Sequence, residues 1–163
     1  MYTSPTKHPS DILLRDTYHP LFDQYGVDLV LQGHTHNYQR SYPITYNNKG
    51  NSPNPTITSI NTNTYNAPTG EVYVIAGTAG EDLYDLKSKV DFIATQYKGF
   101  GFLNLDISSD GTKPIGTFYA NEDGSVKDTF NITKLSNSKL IAVKEQFYPE
   151  KLEVLNAKLC PCQ

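Results

Sequence analysis

From Asp11 to Tyr25 the apolar residues Ile12, Leu13, Tyr18, Leu21, Phe22 and Tyr25 recur every three or four positions. That spacing gathers side chains on one stripe, so an amphipathic helix over 11–25 is predicted. Ser10 is the expected N-cap, and Asp11 sets a carboxylate against the positive end of the helix. Pro20 lacks an N–H, which predicts a kink or a break into two pieces. Gly26 suits the residue that closes a helix. Directly after it the pattern changes to a short apolar run, Val27 to Gln32. Such a run, stopped by Gly33, predicts a strand buried on both faces.

Glu71 to Ala76 repeats that pattern and ends in Gly77-Thr78-Ala79-Gly80. Two apolar strands that each finish at a glycine-marked turn place two loops along one rim of a sheet, where open α/β sheets bind ligands. Between them, 41–70 is polar and carries Pro43, Pro53, Pro55 and Pro68. A loop this long is usually functional or mobile. Residues 82–91 show no clear period and read as loop or a short helix. From Gly99 the pattern is pure β: strands over 101–107, 113–120 and 126–132, with turns at 108–111 and 121–124. Asp-Gly between alternating strands is a strong hairpin signal. The fold class is therefore α/β at its boundary with α+β: a helix-then-strand start with a terminal antiparallel meander. Residues 1–134 form the expected domain, and 135–163 read as a linker or tail.

Composition adds limits. At 163 residues the chain suits one domain with a real core. A net charge of -3 gives no electrostatic case for a nucleic-acid-binding surface. Hydrophobic content is low at 37%, and charged residues are only 19%, so Asn, Thr, Ser and Tyr fill the difference. Twelve tyrosines and no tryptophan suit a strand-and-loop protein with hydroxyl-rich surfaces. That style favours an extracytoplasmic or secreted location. No run approaches the ~18–20 apolar residues of a membrane helix. The amino terminus lacks the basic and apolar regions of a signal peptide. Cys160 and Cys162 are too few for a zinc site and poorly spaced for a disulfide with each other.

The chemistry concentrates at His34-Thr35-His36, which holds two of the four histidines. Neutral imidazole is the commonest protein metal ligand. On an extended backbone His34 and His36 point to one side, with Thr35 opposite. They suit one metal ion, or two neighbouring ions approached from one loop. The plain alternative is a pair of surface histidines in a polar turn. His8 reads either as a site residue or as an exposed loop histidine, and His19, before Pro20, as structural. Asn131-Ile132-Thr133 is a glycosylation sequon, a weak signal within an expected strand.

The stretch Val27-Asp28-Leu29-Val30-Leu31-Gln32-Gly33-His34-Thr35-His36 resembles the Gly-His-x-His signature of the calcineurin-like metallophosphoesterases. The continuation Asn37-Tyr38-Gln39-Arg40 is similar to the purple acid phosphatase branch, where an aromatic residue and an arginine follow the second histidine. The Gly77–Gly80 loop and the strand Gly116-Thr117-Phe118-Tyr119-Ala120-Asn121 fit that branch too, so the resemblance covers 1–132.

It implies the carboxyl half of a four-layer α/β/β/α sandwich. It also implies hydrolysis of phosphate esters at two metal ions, iron with zinc, manganese or a second iron, about 3.5 Å apart. By motif, His34 matches a ligand of the second metal and His36 one of the first. His8 lies near a histidine that contacts substrate and assists the leaving group. Arg40 either reaches a substrate oxygen or is tied to nearby backbone or a carboxylate. Tyr38 is expected against the metal loop.

The family's Asp-x-His, Gly-Asp-x-x-Asp/Tyr and Gly-Asn-His/Asp motifs are absent. The expectation is therefore that the amino-terminal half of the domain lies upstream of Met1 and that this chain alone is inactive. An exposed sheet edge and an uncovered apolar face would follow. The rival readings are a non-catalytic β-rich binding module derived from the fold, and a single-metal site.

Overall fold

The computed structural model describes residues 1–4, 7–47 and 54–134. The expected tail over 135–163, with Cys160 and Cys162, lies outside these residues. Helix α1 (Ile12–Tyr25) starts one residue later than predicted, because Asp11 and not Ser10 is its N-cap. Asp11 Oδ1 accepts from the Leu14 N–H at 2.9 Å. Ser10 Oγ turns instead to Thr3, accepting from its N–H at 3.1 Å and donating to its carbonyl at 3.2 Å. Pro20 is carried inside α1 without ending it. Gly26 closes the helix at φ 64° and ψ 46°, the left-handed region that favours glycine.

The predicted apolar stripe of α1 is not its buried face. Arg15 and His19 are buried, whereas Leu13 and Tyr25 are each 77% exposed and Ile12, Tyr18 and Leu21 are exposed as well. Periodicity names the stripe that wants cover; a partner surface decides which one gets it. Among the described residues, Tyr2 and Tyr73 supply aromatic edges for His19, with ring centroids at 5.3 and 5.2 Å. Of the predicted stripe, Phe22 alone packs partly against the core.

Among the described residues the strands are β1 (Leu29–Gln32), β2 (Tyr38–Ser41), β3 (Ile44–Thr45), β4 (Thr56–Ile57), β5 (Thr64–Asn66), β6 (Val72–Ala76), β7 (Ile93–Tyr97), β8 (Gly101–Ile107), β9 (Pro114–Ala120) and β10 (Val126–Thr133). They form a four-stranded sheet in the order β1-β6-β2-β7, a second in the order β5-β10-β9-β8, and the pair β3-β4. β1 runs parallel to β6, which is antiparallel to β2. The predicted meander is β8, β9 and β10, and β5 adds to it in parallel. The chain is thus a β-rich α/β fold with mixed sheets.

β1 departs from expectation. It is an edge strand and only partly buried, with Leu31 56% exposed, whereas β6 beside it carries the buried run Val72 to Ile75. A continuous apolar run does not say whether a strand is central or marginal. Side chains of β6 alternate between two cores, as a period of two requires. Val72 and Val74 join Tyr38, Tyr65, Phe118, Phe130 and Ile132; Tyr73 joins Tyr2, Ile44, Phe92 and Ile93. Tyr38 stacks on Phe118 at 4.1 Å in the first of these cores, and its hydroxyl donates to Asp128, so it serves the packing between strands. Among the described residues, no helix is long and apolar enough to cross a membrane.

Candidate metal-binding rim

Because β1 and β6 are parallel, their carboxyl ends reach the same rim, and the loops Gly33–Asn37 and Gly77–Gly80 lie side by side there. Gly77 passes so close to the first loop that a Cβ at this position would stand 2.1 Å from the Thr35 carbonyl oxygen. Only glycine allows that approach. Thr78 latches the rim to β8: its Oγ1 donates to the Gly101 carbonyl at 2.7 Å, and the Gly101 N–H returns a bond to its carbonyl at 3.3 Å.

The His-x-His segment is not extended. His34 has φ 67°, and tight turns bond the Thr35 N–H to Gly33 O and the Asn37 N–H to Thr35 O, each at 2.8 Å. The positive φ turns the two rings toward different neighbours. His34 meets His8, with ring centroids 4.3 Å apart, and His36 stacks on Tyr84 at 4.2 Å and 19°. His8, His34 and His36 are thereby brought to one rim, joined through Tyr84, which also lies 5.4 Å from His8.

His36 is oriented for ligation. Its Nδ1 lies 2.8 Å from the carbonyl oxygen of Asp82. A carbonyl only accepts, so Nδ1 carries the hydrogen, and in the neutral ring Nε2 keeps its lone pair. Such a bond to the second nitrogen is how ligating histidines are usually fixed. The Tyr84 N–H donates to the His36 carbonyl at 2.8 Å, holding Tyr84 and the Asp82 carbonyl against the loop. Loss of hydration, then the neighbouring His34, Lys7 and His36, hold the His8 imidazole below its ordinary range, which favours the neutral ring.

Further polar side chains, hidden in a stretch that reads as a motif tail, hold the amino-terminal segment to the rim. Gln39 Nε2 donates to Asn37 Oδ1 at 2.9 Å and to Thr3 Oγ1 at 3.0 Å, and its Oε1 accepts from the Ser4 N–H at 2.6 Å. Arg40 is buried at 1% exposure. Its Nε and Nη2 meet the two oxygens of Asp128 at 2.6 and 2.8 Å, and Nη1 and Nη2 donate to Tyr65 Oη and Thr62 O. Of the two roles the resemblance leaves for Arg40, the tie to a carboxylate is the one the structure contains. Sequence reasoning passed over Asp82 and Tyr84, since a carbonyl acceptor and a stacking ring leave no periodic trace.

His36 fits a metal by its donor set. Among the described residues, neither His34 nor His36 belongs to a trio of His, Cys, Asp or Glu ligand atoms within 4.8 Å of one another. Fold and rim together present paired histidines just beyond the carboxyl end of a strand that runs parallel to its neighbour.

No family model matches the chain. It is 28% identical over 122 residues to a probable inactive purple acid phosphatase 1 of Arabidopsis thaliana, covering 74% of this chain and 18% of that protein. It is 30% identical over 115 residues to acid phosphatase type 7 of Mus musculus, covering 66% of this chain and 24% of that protein. The solved purple acid phosphatase PPD1 of yellow lupin superposes with a TM-score of 0.60 at 28% identity, over 70% of this chain and 19% of that one. The chain belongs to the purple acid phosphatase-like branch of the metallophosphoesterases, and it spans about a fifth of the length of these relatives.

Proposed function

We propose that the rim is part of a binuclear metal centre for phosphoric ester hydrolysis, to which this chain contributes His34 and His36 as ligands of different metals. The observation that carries the reading is the bond from His36 Nδ1 to the Asp82 carbonyl, which leaves Nε2 free to ligate. When bound, the metal pair lowers the pKa of water and neutralises charge on the phosphoryl oxygens. Iron with zinc, manganese or a second iron is the pair the resemblance implies. His8 faces the same rim, placed to contact phosphate and, when protonated, to pass its proton to the leaving oxygen. Arg40 acts through position, holding β2 and hence Asn37 and Gln39 beneath the loop.

In this reading 1–134 is the carboxyl part of the catalytic domain, with the remaining ligands upstream, and the protein works outside the cytoplasm. Support for the location is the hydroxyl-rich, charge-poor composition. The 163-residue chain is expected to show no p-nitrophenyl phosphate turnover above background with added iron, zinc or manganese. Joined to an upstream segment bearing Asp-x-His and Gly-Asn-His motifs, it is expected to turn over, and His34→Ala or His36→Ala to abolish this. Turnover by the chain alone that His34→Ala removes overturns the division of ligands. Activity of the joined protein that survives His36→Ala overturns the site. A relative's description as probably inactive favours the second reading, a non-catalytic β-rich module, which predicts no activity even when joined.

A further inference from the structure

The buried face of α1 carries a second cluster of ligand-type groups, formed by other residues than the rim histidines. His19 Nε2 lies 3.7 Å from Asp23 Oδ1, one helical turn on, and 2.8 Å from Glu71 Oε2, just ahead of β6. The three ligand atoms all fall within 4.8 Å of one another. Each residue is fixed from behind by a different neighbour. His19 Nδ1 is 2.6 Å from the Tyr2 hydroxyl. Asp23 Oδ2 accepts from the Tyr46 N–H at 2.9 Å. Glu71 exchanges two backbone bonds with Ile44, each 3.0 Å.

The atoms that face inward are left over. His19 Nε2 and both carboxylate oxygens of Glu71 are buried with no fully formed hydrogen bond among the described residues, although Nε2 and Oε2 stand 2.8 Å apart as an ion-pair contact. Both residues are 0% exposed. Leaving a buried carboxylate unbonded costs free energy that proteins rarely accept. Burial accordingly pushes the Glu71 carboxyl above its ordinary range. Arg15, the buried cation on the same face, has its Nε on Asp16 at 3.1 Å.

We propose that His19, Asp23 and Glu71 form a mononuclear site for a divalent cation of the zinc class, fastening α1 to the head of β6. One imidazole nitrogen and two carboxylate oxygens are a donor set that zinc accepts, at metal–ligand distances of about 2.0–2.2 Å. At tetrahedral angles such distances put ligand atoms roughly 3.5 Å apart; the 3.7 Å spacing of His19 and Asp23 is near this, and the 2.8 Å spacing of His19 and Glu71 would have to open as an ion enters. With Nδ1–H donating to Tyr2, Nε2 offers its lone pair, and the two carboxylates balance the charge of the ion. Asp23, 29% exposed, marks the side from which the ion and a fourth, water ligand enter. The spacing His19-x-x-x-Asp23 is visible in the sequence, but Glu71 is joined to it only by the fold.

The test is zinc titration of the full chain, read by calorimetry and by thermal melting. His34→Ala, His36→Ala, Cys160→Ser and Cys162→Ser are introduced together to remove other ligands. One zinc per chain is expected, with a saturable rise in Tm. Asp23→Asn, which keeps an acceptor for Tyr46 and lies at the surface, is expected to weaken zinc at least about tenfold while its zinc-free Tm stays near the parent's. Glu71→Gln is expected to abolish binding. No heat and no Tm shift, or equal zinc affinity in Asp23→Asn, overturns the site and leaves His19 and Glu71 as a buried pair.

Discussion

His36 and Asp82, 46 positions apart, are joined by a hydrogen bond from the imidazole Nδ1–H to a main-chain carbonyl. Because the acceptor belongs to the backbone, the side chain of Asp82 is dispensable. Long-range proton–nitrogen spectra are expected to show neutral His36 with its hydrogen on Nδ1, in the parent and in Asp82→Ala alike. Tyr84→Ala removes the ring stacked on His36 but keeps the main-chain N–H that holds this segment to the loop, so the Nδ1–H tautomer is expected to persist there with shifted ring resonances. An Nε2–H tautomer in the parent would refute the orientation.

Arg40 and Asp128 form a buried two-point ion pair, so removing the cation strands a carboxylate. Arg40→Ala is expected to destabilise the fold by about 3–5 kcal/mol in urea unfolding. Asp128→Asn in the same background should recover part of that loss, since the stranded charge is then gone. Additive losses in the double variant would show that the pair is not coupled.

Gly77 faces the Thr35 carbonyl with no room for a Cβ. Gly77→Ala is therefore expected to push the two rim loops apart, broadening or shifting the His34 and His36 resonances. Gly33→Ala, where a Cβ meets nothing within 4 Å, is the matched control. Equal spectra for the two variants would rule out the close approach.

Asp110 is exposed but well bonded: its Oδ1 accepts from Ser108 Oγ at 2.6 Å, the Thr112 N–H at 3.0 Å and Thr112 Oγ1 at 2.8 Å. Those bonds, that from Ser108 foremost, lower its pKa from 3.8 to about 2. A lowered acid stabilises the fold above its unfolded pKa and loses this as pH falls through the folded value. The Tm gap between parent and Asp110→Ala is thus expected to be full at neutral pH and to shrink from pH 3.8 toward about 2. A gap that widens on acidification contradicts the sign.

Leu31 on the β1 edge and the exposed apolar residues of α1 line a groove of about 900 Å³, with Ile12, Leu14, Tyr18 and Val30 among its walls. Unpaired edges beside apolar surface invite self-association. Leu31→Lys is expected to lower light scattering at high protein concentration, with little effect on the unfolding midpoint. Unchanged scattering would place the association surface elsewhere.

Where one face of a segment was dry and the other wet, the sequence was easy to read. β8, β9 and β10 alternate and are bounded by Asp-Gly turns, so they appear where expected. β2 was hidden because Tyr38, Gln39, Arg40 and Ser41 are all buried and mostly polar, with partners distant in the chain. β3, β4 and β5 are too short to carry a period, and β7 mixes Thr and Gln with apolar residues. At the rim, the flanks single out His34 and His36 in the sequence, whereas the positive φ at His34 leaves no trace there. The inside-out burial of α1 escaped because Arg15 is held by Asp16 and His19 by Tyr2, contacts that a helical repeat does not reveal.

The bond between Arg40 and Asp128 also orders events in time. A ribosome delivers the two histidines early and their anchorage late, since Asp128 is added 88 residues after Arg40. Until β10 has emerged, the guanidinium beneath the rim has no carboxylate, and the core residues Phe118, Phe130 and Ile132 have not arrived. The rim loops therefore gain their full support only after synthesis has passed the meander.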